Sequence, residues 1–144
     1  LTVMDTHLDA FAQGCDTMTK QVAAVEDVLG DTKGAWLIAG DFNLLATSSA
    51  YERLGKVQQG YFNPDTELGP VLDAYAHFPS TKQIDSGDPA YFTHWPNDPS
   101  VDGPDRTIDY FFYSPGLTGF DQRVRQDRPK ISDHFAMLTT VTAP

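Results

Sequence analysis

Short apolar runs alternate with dense turn signals along the chain, and the runs predict its elements. Leu1 to Leu8 is β-prone, and its end carries Asp5, His7 and Asp9. From Asp16 to Leu29 the residues Met18, Val22, Val25 and Leu29 recur at helical spacing, with Asp16 or Thr17 as the cap and Gly30 as the stop. Ala35 to Ala39 is a compact apolar run of strand length between Gly34 and Gly40, followed by Asp41-Phe42-Asn43. Strand, helix and strand in that order predict one α/β unit.

The stretch 44–90 is less periodic. Tyr51 to Leu54 predicts a short helix, while Val71 to Phe78 fits either a helix or a buried strand. Turn signals lie at Asn63-Pro64, Gly69-Pro70 and Ser86-Gly87-Asp88-Pro89. Tyr91 to Trp95 is aromatic and extended, and Pro96 to Pro104 is a long Asp/Pro/Gly loop. Thr107 to Tyr113 is strongly β-prone, and Phe120 to Val124 and Phe135 to Val141 predict two more strands. The expected class is α/β (α+β): a mixed sheet with few helices and a β-rich second half.

Composition narrows this picture. A length of 144 residues fits one domain, and 40% hydrophobic content suffices for a core. No run approaches the ~20 apolar residues of a membrane span, and the single cysteine, Cys15, excludes an intrachain disulfide. No targeting segment is visible, and the compartment stays open. The net charge of −10 argues against binding nucleic acid or anionic membranes through bulk charge. Seventeen of the twenty acids are aspartate, a residue suited to turns and caps but also a hard ligand for Mg²⁺ or Ca²⁺. The chain opens inside its first strand, which suggests a piece of something longer.

Four segments place an ionisable or polar pair at the end of a strand-like run: Asp5-Thr6-His7, Gly40-Asp41-Phe42-Asn43, Ile108-Asp109-Tyr110 and Ser132-Asp133-His134. Burying a carboxylate or imidazole beside apolar strands is costly unless it is paired or metal-bound. Convergence of the four on one edge would gather Asp41, Asp109, Asp133, His7, His134 and Asn43, with a divalent cation offsetting the repulsion among three carboxylates. Taken singly, each has a structural reading: an Asx turn for Asp41 and Asn43, an outward strand position for Asp109, a cap for Asp133 and His134, a packing role for His7.

Together, Thr6-His7-Leu8, Gly40-Asp41-Phe42-Asn43, Arg106-Thr107-Ile108-Asp109-Tyr110 and Ser132-Asp133-His134-Phe135 resemble the endonuclease/exonuclease/phosphatase superfamily with its deoxyribonuclease-like fold. The resemblance runs from Leu1 to Val141 but matches only the second half of the family's catalytic domain. It implies half of a four-layered α/β-sandwich, with a mixed, mostly antiparallel sheet and flanking helices. It also implies that residues 1–144 are a C-terminal half lacking its N-terminal half, the expected partner, without which the chain is expected to be inactive. The roles it carries over are Asp41 on the attacking water, Asn43 on a phosphate oxygen and Asp133, with Asp41, on the metal. His134 and His7 face the phosphate, and Asp109 holds His134 protonated. The implied function is a divalent-metal-dependent hydrolase of phosphate esters, using Mg²⁺ with Mn²⁺ or Ca²⁺ as alternatives. A noncatalytic binding domain that retains the fold is the competing reading.

Weaker candidates surround these. Trp95 is placed to stack on a base or sugar or to pack in the core, with His94 at its rim. Arg106 is placed to reach a phosphate or to pair with Asp105 or Asp109. Arg123, Arg125, Arg128 and Lys130 form either an anion-attracting strip or a solvated face.

Overall fold

A computed structural model describes residues 1–10, 15–62, 68–126 and 130–143. The Asn63-Pro64 turn and Arg128 of the basic strip lie outside these residues. The first strand, β1 (Thr2–His7), leads into helix α1 (Thr17–Asp31) and then strand β2 (Trp36–Asp41). These form the expected strand–helix–strand unit, with β1 and β2 parallel. On α1, Met18, Val22 and Leu29 are buried and Val25 packs beside them, so the apolar stripe seen in the sequence is its inner face. The helix runs through Gly30 to Asp31 and is capped by Thr32, whose hydroxyl donates to the Val28 carbonyl at 2.7 Å.

Four short helices and a strand follow: α2 (Ser48–Arg53), α3 (Lys56–Gln59), α4 (Gly69–Ala74), β3 (Ala76–Phe78) and α5 (Thr81–Ser86). The ambiguous run Val71 to Phe78 is thus both, a helix that gives way to a strand at Tyr75. A capping box between Ser80 and Gln83 starts α5, and Gly87 in the left-handed region stops it. Tyr91 to Trp95 is not a strand: a 3₁₀ turn covers Pro89–Tyr91, and the segment's β-pairing is confined to isolated bridges from His94 to Arg106 and His134. Strands β4 (Asp109–Tyr113), β5 (Thr118–Val124) and β6 (Met137–Thr142) complete the chain, the last beginning two residues later than expected.

The main sheet has the order β1-β2-β4-β3, with β4 antiparallel to both neighbours; β5 and β6 form a separate antiparallel pair. Side chains alternate between faces along β2. Ile38 joins a core with Phe42 and Phe112 that helices α1, α2, α4 and α5 cover, whereas Leu37 joins Phe78 and Tyr113 in a second core. Val124, Met137 and Val141 of β5 and β6 pack on that second core. The expected half of a four-layered sandwich, with its sheet left bare for a missing layer, is therefore corrected: both faces of the sheet carry packed cores made by the chain's own elements. The class itself stands as α/β, with mixed, mostly antiparallel sheets and flanking helices. Among the described residues no helix is long and apolar enough to cross a membrane.

Candidate metal-assisted hydrolytic site

Strand register assembles the site. His7 ends β1 opposite Asp41, which ends β2, and Asp41 lies opposite Asp109, which begins β4. Residues paired in this way stand in one row on one face of the sheet. Gly40 permits the row: its φ is 148°, and a Cβ there would collide with the Thr6 backbone. Next to it Phe42 is fully buried, edge-on to Tyr110 and Phe112, and so anchors the turn that carries Asp41 and Asn43.

His134 reaches this row from the segment before β6. Its Nδ1 lies 3.1 Å from both oxygens of Asp109, and its Nε2 lies 3.5 Å from Asp41 Oδ2. His7 Nε2 approaches the same Asp41 oxygen at 3.5 Å. Both 3.5 Å spacings exceed a good hydrogen bond, leaving the Asp41 oxygen open between two imidazoles. The His7 side chain is 75% exposed while those of Asp41 and Asp109 are 13% and 14% exposed, so the carboxylates are sheltered and His7 faces solvent.

The electrostatics follow from these contacts. The hydrogen bond to Asp109 raises the His134 pKa above its usual value, reinforced by the Asp109, Asp41 and Asp133 charges and opposed by burial. Burial, with the neighbouring Asp109 charge, raises the Asp41 pKa; the Asn43 N–H bond and the two histidines oppose it. His94 is pushed down to about 4 by burial, then by His134 and Arg106.

Asn43 occupies the left-handed region (φ 50°), donates its backbone N–H to Asp41 Oδ1 at 2.8 Å, and donates Nδ2 to the Leu8 carbonyl at 2.9 Å. It is thus an Asx turn and a member of the site at once. Asp133 does not join the Asp41–Asp109 pair directly. Its ligand atoms cluster with those of His94 and His134, and a second cluster comprises Asp41, Asp109 and His134, the donor atoms in each lying within 4.8 Å of one another. Two His/Asp groups able to hold a divalent cation therefore share His134.

The remaining candidates lie around this centre. Trp95 is half-buried, donates Nε1 to the Val101 carbonyl at 3.1 Å and carries Lys130 Nζ 4.8 Å from its ring centroid. Arg106 is 5% exposed, pairs with both oxygens of Asp105 at 2.6 Å, bonds Gln58 at 2.7 Å and lies over the Phe62 ring. Its guanidinium serves the ion-pair reading. Arg123 is exposed near the end of β5.

Two neighbours were not legible as site residues. Thr93 is fully buried and its hydroxyl accepts the N–H groups of Ile108 at 3.1 Å and Asp109 at 3.2 Å. His94 sets its ring edge-on to His134, 4.7 Å between centroids. The only sequence signal was a polar Thr-His pair inside an otherwise aromatic run.

The model of the Endonuclease/Exonuclease/phosphatase family matches residues 7–134. No curated protein matches the chain. The match starts at His7, ends at His134 and spans nearly all 144 residues. It overturns the expectation of a C-terminal half that needs a separate N-terminal half as its partner, because one continuous match encloses the row, the turn and both metal-binding groups. The family match and the two His/Asp groups make the protein a divalent-metal-dependent phosphoesterase of the nuclease and phosphodiesterase kind. With the site's outermost histidines marking the limits of the match, the chain belongs to the Endonuclease/Exonuclease/phosphatase family.

Proposed function

We propose that the chain hydrolyses phosphodiesters with Asp41 as the group that aligns and deprotonates the attacking water and His134 as the imidazole that stabilises charge on the scissile phosphate. The observation that carries this is the chain Asp109–His134–Asp41, in which one carboxylate fixes the ring from behind while the other faces its free nitrogen. Asp109 keeps a proton on Nδ1 and orients Nε2 toward the Asp41 oxygen. The raised pKa of Asp41 brings this carboxylate closer to the range in which it accepts a proton usefully near neutrality. His7, exposed at the row's end, is the second phosphate-facing imidazole. Asn43 has a second Nδ2 hydrogen for a phosphate oxygen beyond the one given to Leu8.

Asp41 and Asp133 are proposed as carboxylate ligands, with Mg²⁺ as the ion and Mn²⁺ or Ca²⁺ as alternatives. When bound, a divalent cation there supplies Lewis-acid neutralisation of the phosphate oxygens. Trp95, held by Val101 and Lys130, forms a wall on which a sugar or base stacks. Hydrolysis of a chromogenic phosphodiester tests the mechanism. Asp41→Ala and His134→Ala are each expected to lower kcat by about 10²–10⁴-fold, and undiminished turnover in either variant removes it.

A further inference from the structure

We propose that His94 is a metal ligand and that, with Asp133 and His134, it makes a two-imidazole, one-carboxylate site that takes a transition-metal cation in preference to Mg²⁺. This rests on the reading of the site as metal-assisted, and it goes beyond it by naming a further ligand and an ion class.

Three observations carry it. First, the donor atoms of His94, Asp133 and His134 lie within 4.8 Å of one another, close enough to surround one ion. Second, His94 Nδ1 is buried with no hydrogen-bond partner, the only such side-chain nitrogen or oxygen among the described residues. A buried polar atom left without a partner forfeits the hydration it had in the unfolded chain, and an imidazole lone pair that meets a cation on binding recovers that loss. Third, the second ring is already oriented as a ligating histidine is. Its Nδ1 faces the Asp109 carboxylate at 3.1 Å from both oxygens, which leaves Nε2, 3.5 Å from Asp41 Oδ2, as the nitrogen that can turn to an ion.

The backbone holds the donors in place independently of any ion. His94 bridges to both Arg106 and His134, and the Trp95 N–H donates to the Asp133 carbonyl at 2.8 Å, so residues on either side of His94 are fastened to the segment carrying the other two ligands. Donor chemistry then decides the ion. Carboxylates and water suit Mg²⁺ and Ca²⁺, whereas imidazole suits Co²⁺, Ni²⁺ and Zn²⁺. Of three side-chain donors, two here are imidazoles.

Titration of the metal-free protein with Co²⁺ and, separately, Mg²⁺ tests this, read by Co²⁺ visible absorption and by calorimetry. The wild-type chain is expected to bind Co²⁺ at least about tenfold more tightly than Mg²⁺, and His94→Phe, which keeps an aromatic ring against His134, to lose about 10–100-fold in Co²⁺ affinity with Mg²⁺ affinity unchanged. His94→Gln provides a second variant with a polar side chain at the same position. In the wild-type protein itself, Co²⁺ is expected to shift imidazole N–H proton resonances from two histidines. Shifts from one histidine only, equal affinity for the two ions, or Co²⁺ affinity within twofold of wild type in a folded His94 variant would overturn the assignment. Failure of the hydrolytic mechanism shows elsewhere, as turnover that survives Asp41→Ala with the Co²⁺ signature intact.

Discussion

The His134 proton is shared with Asp109 and exposed to the charge of Asp41, so its affinity is a direct report of the site's geometry. In the metal-free protein the His134 ring is expected to titrate above the ordinary histidine value of about 6.5, and Asp109→Asn to bring it down, as followed by imidazole proton NMR. Because the folded state holds this proton more tightly than the unfolded chain, the stability it contributes is complete below about pH 6.5 and is lost as pH rises through the folded value. Asp109→Asn should flatten that part of the pH–stability curve. At Tyr110 the expectation is purely structural. Its hydroxyl is fully buried and lies 3.0 Å from the Leu44 carbonyl and 2.9 Å from that of Thr107. Tyr110→Phe therefore removes the one buried donor that these two carbonyls share and is expected to cost about 1–3 kcal/mol in chemical denaturation. Asp41, Asp109 and His134 were legible as candidates because charge beside an apolar strand is costly and demands a reason. His94 was not, because an imidazole among aromatic residues reads as packing until the partner it lacks is known.

Between elements, the parallel pairing of β1 and β2 sets the distance from His7 to Asp41, and Gly40 is paired with Thr6 one step before them. Gly40→Ala adds a Cβ against the Thr6 backbone at a φ that only glycine adopts readily. The expected loss is at least about 2–3 kcal/mol, with His7 displaced from the row, measured as a fall in Tm together with lost turnover. The first strand, first helix and second strand were legible because period and punctuation agreed there. The α4–β3 segment was not, because a run of eight apolar and half-polar residues fits either period, and only the pairing of Ala76 to Phe78 with β4 decides it. The same limit applies to Tyr91 to Trp95, whose β-prone composition is overridden by the Pro89–Tyr91 turn and by a bridge made at His94 alone.

Across the whole molecule, a chain of net charge −10 gathers Asp41, Asp109 and Asp133 into the two groups able to hold a cation, so ion binding and stability are expected to be coupled. Removal of divalent ions by a chelator is expected to abolish phosphodiester hydrolysis and to lower Tm, and saturating metal at about 100 times its Kd to restore about 2.7 kcal/mol. Calorimetry with and without chelator measures both. Family membership was legible from four motifs in order, but their extent was misjudged, since strand-end motifs locate chemistry and say little about how a sheet's faces are covered. Thr93 shows what such coverage achieves. Its hydroxyl holds the amides of Ile108 and Asp109, its N–H donates to the Arg106 carbonyl at 2.8 Å, and its own carbonyl takes the Phe135 N–H at 2.9 Å. One residue, through its hydroxyl on one side and its backbone carbonyl on the other, thus latches the strand bearing Asp109 to the segment bearing His134. The amide protons of Ile108, Asp109 and Phe135 should then exchange with solvent in a single cooperative opening, faster in Thr93→Val and slower once metal is bound, so that the site is lost all at once before the rest of the molecule unfolds.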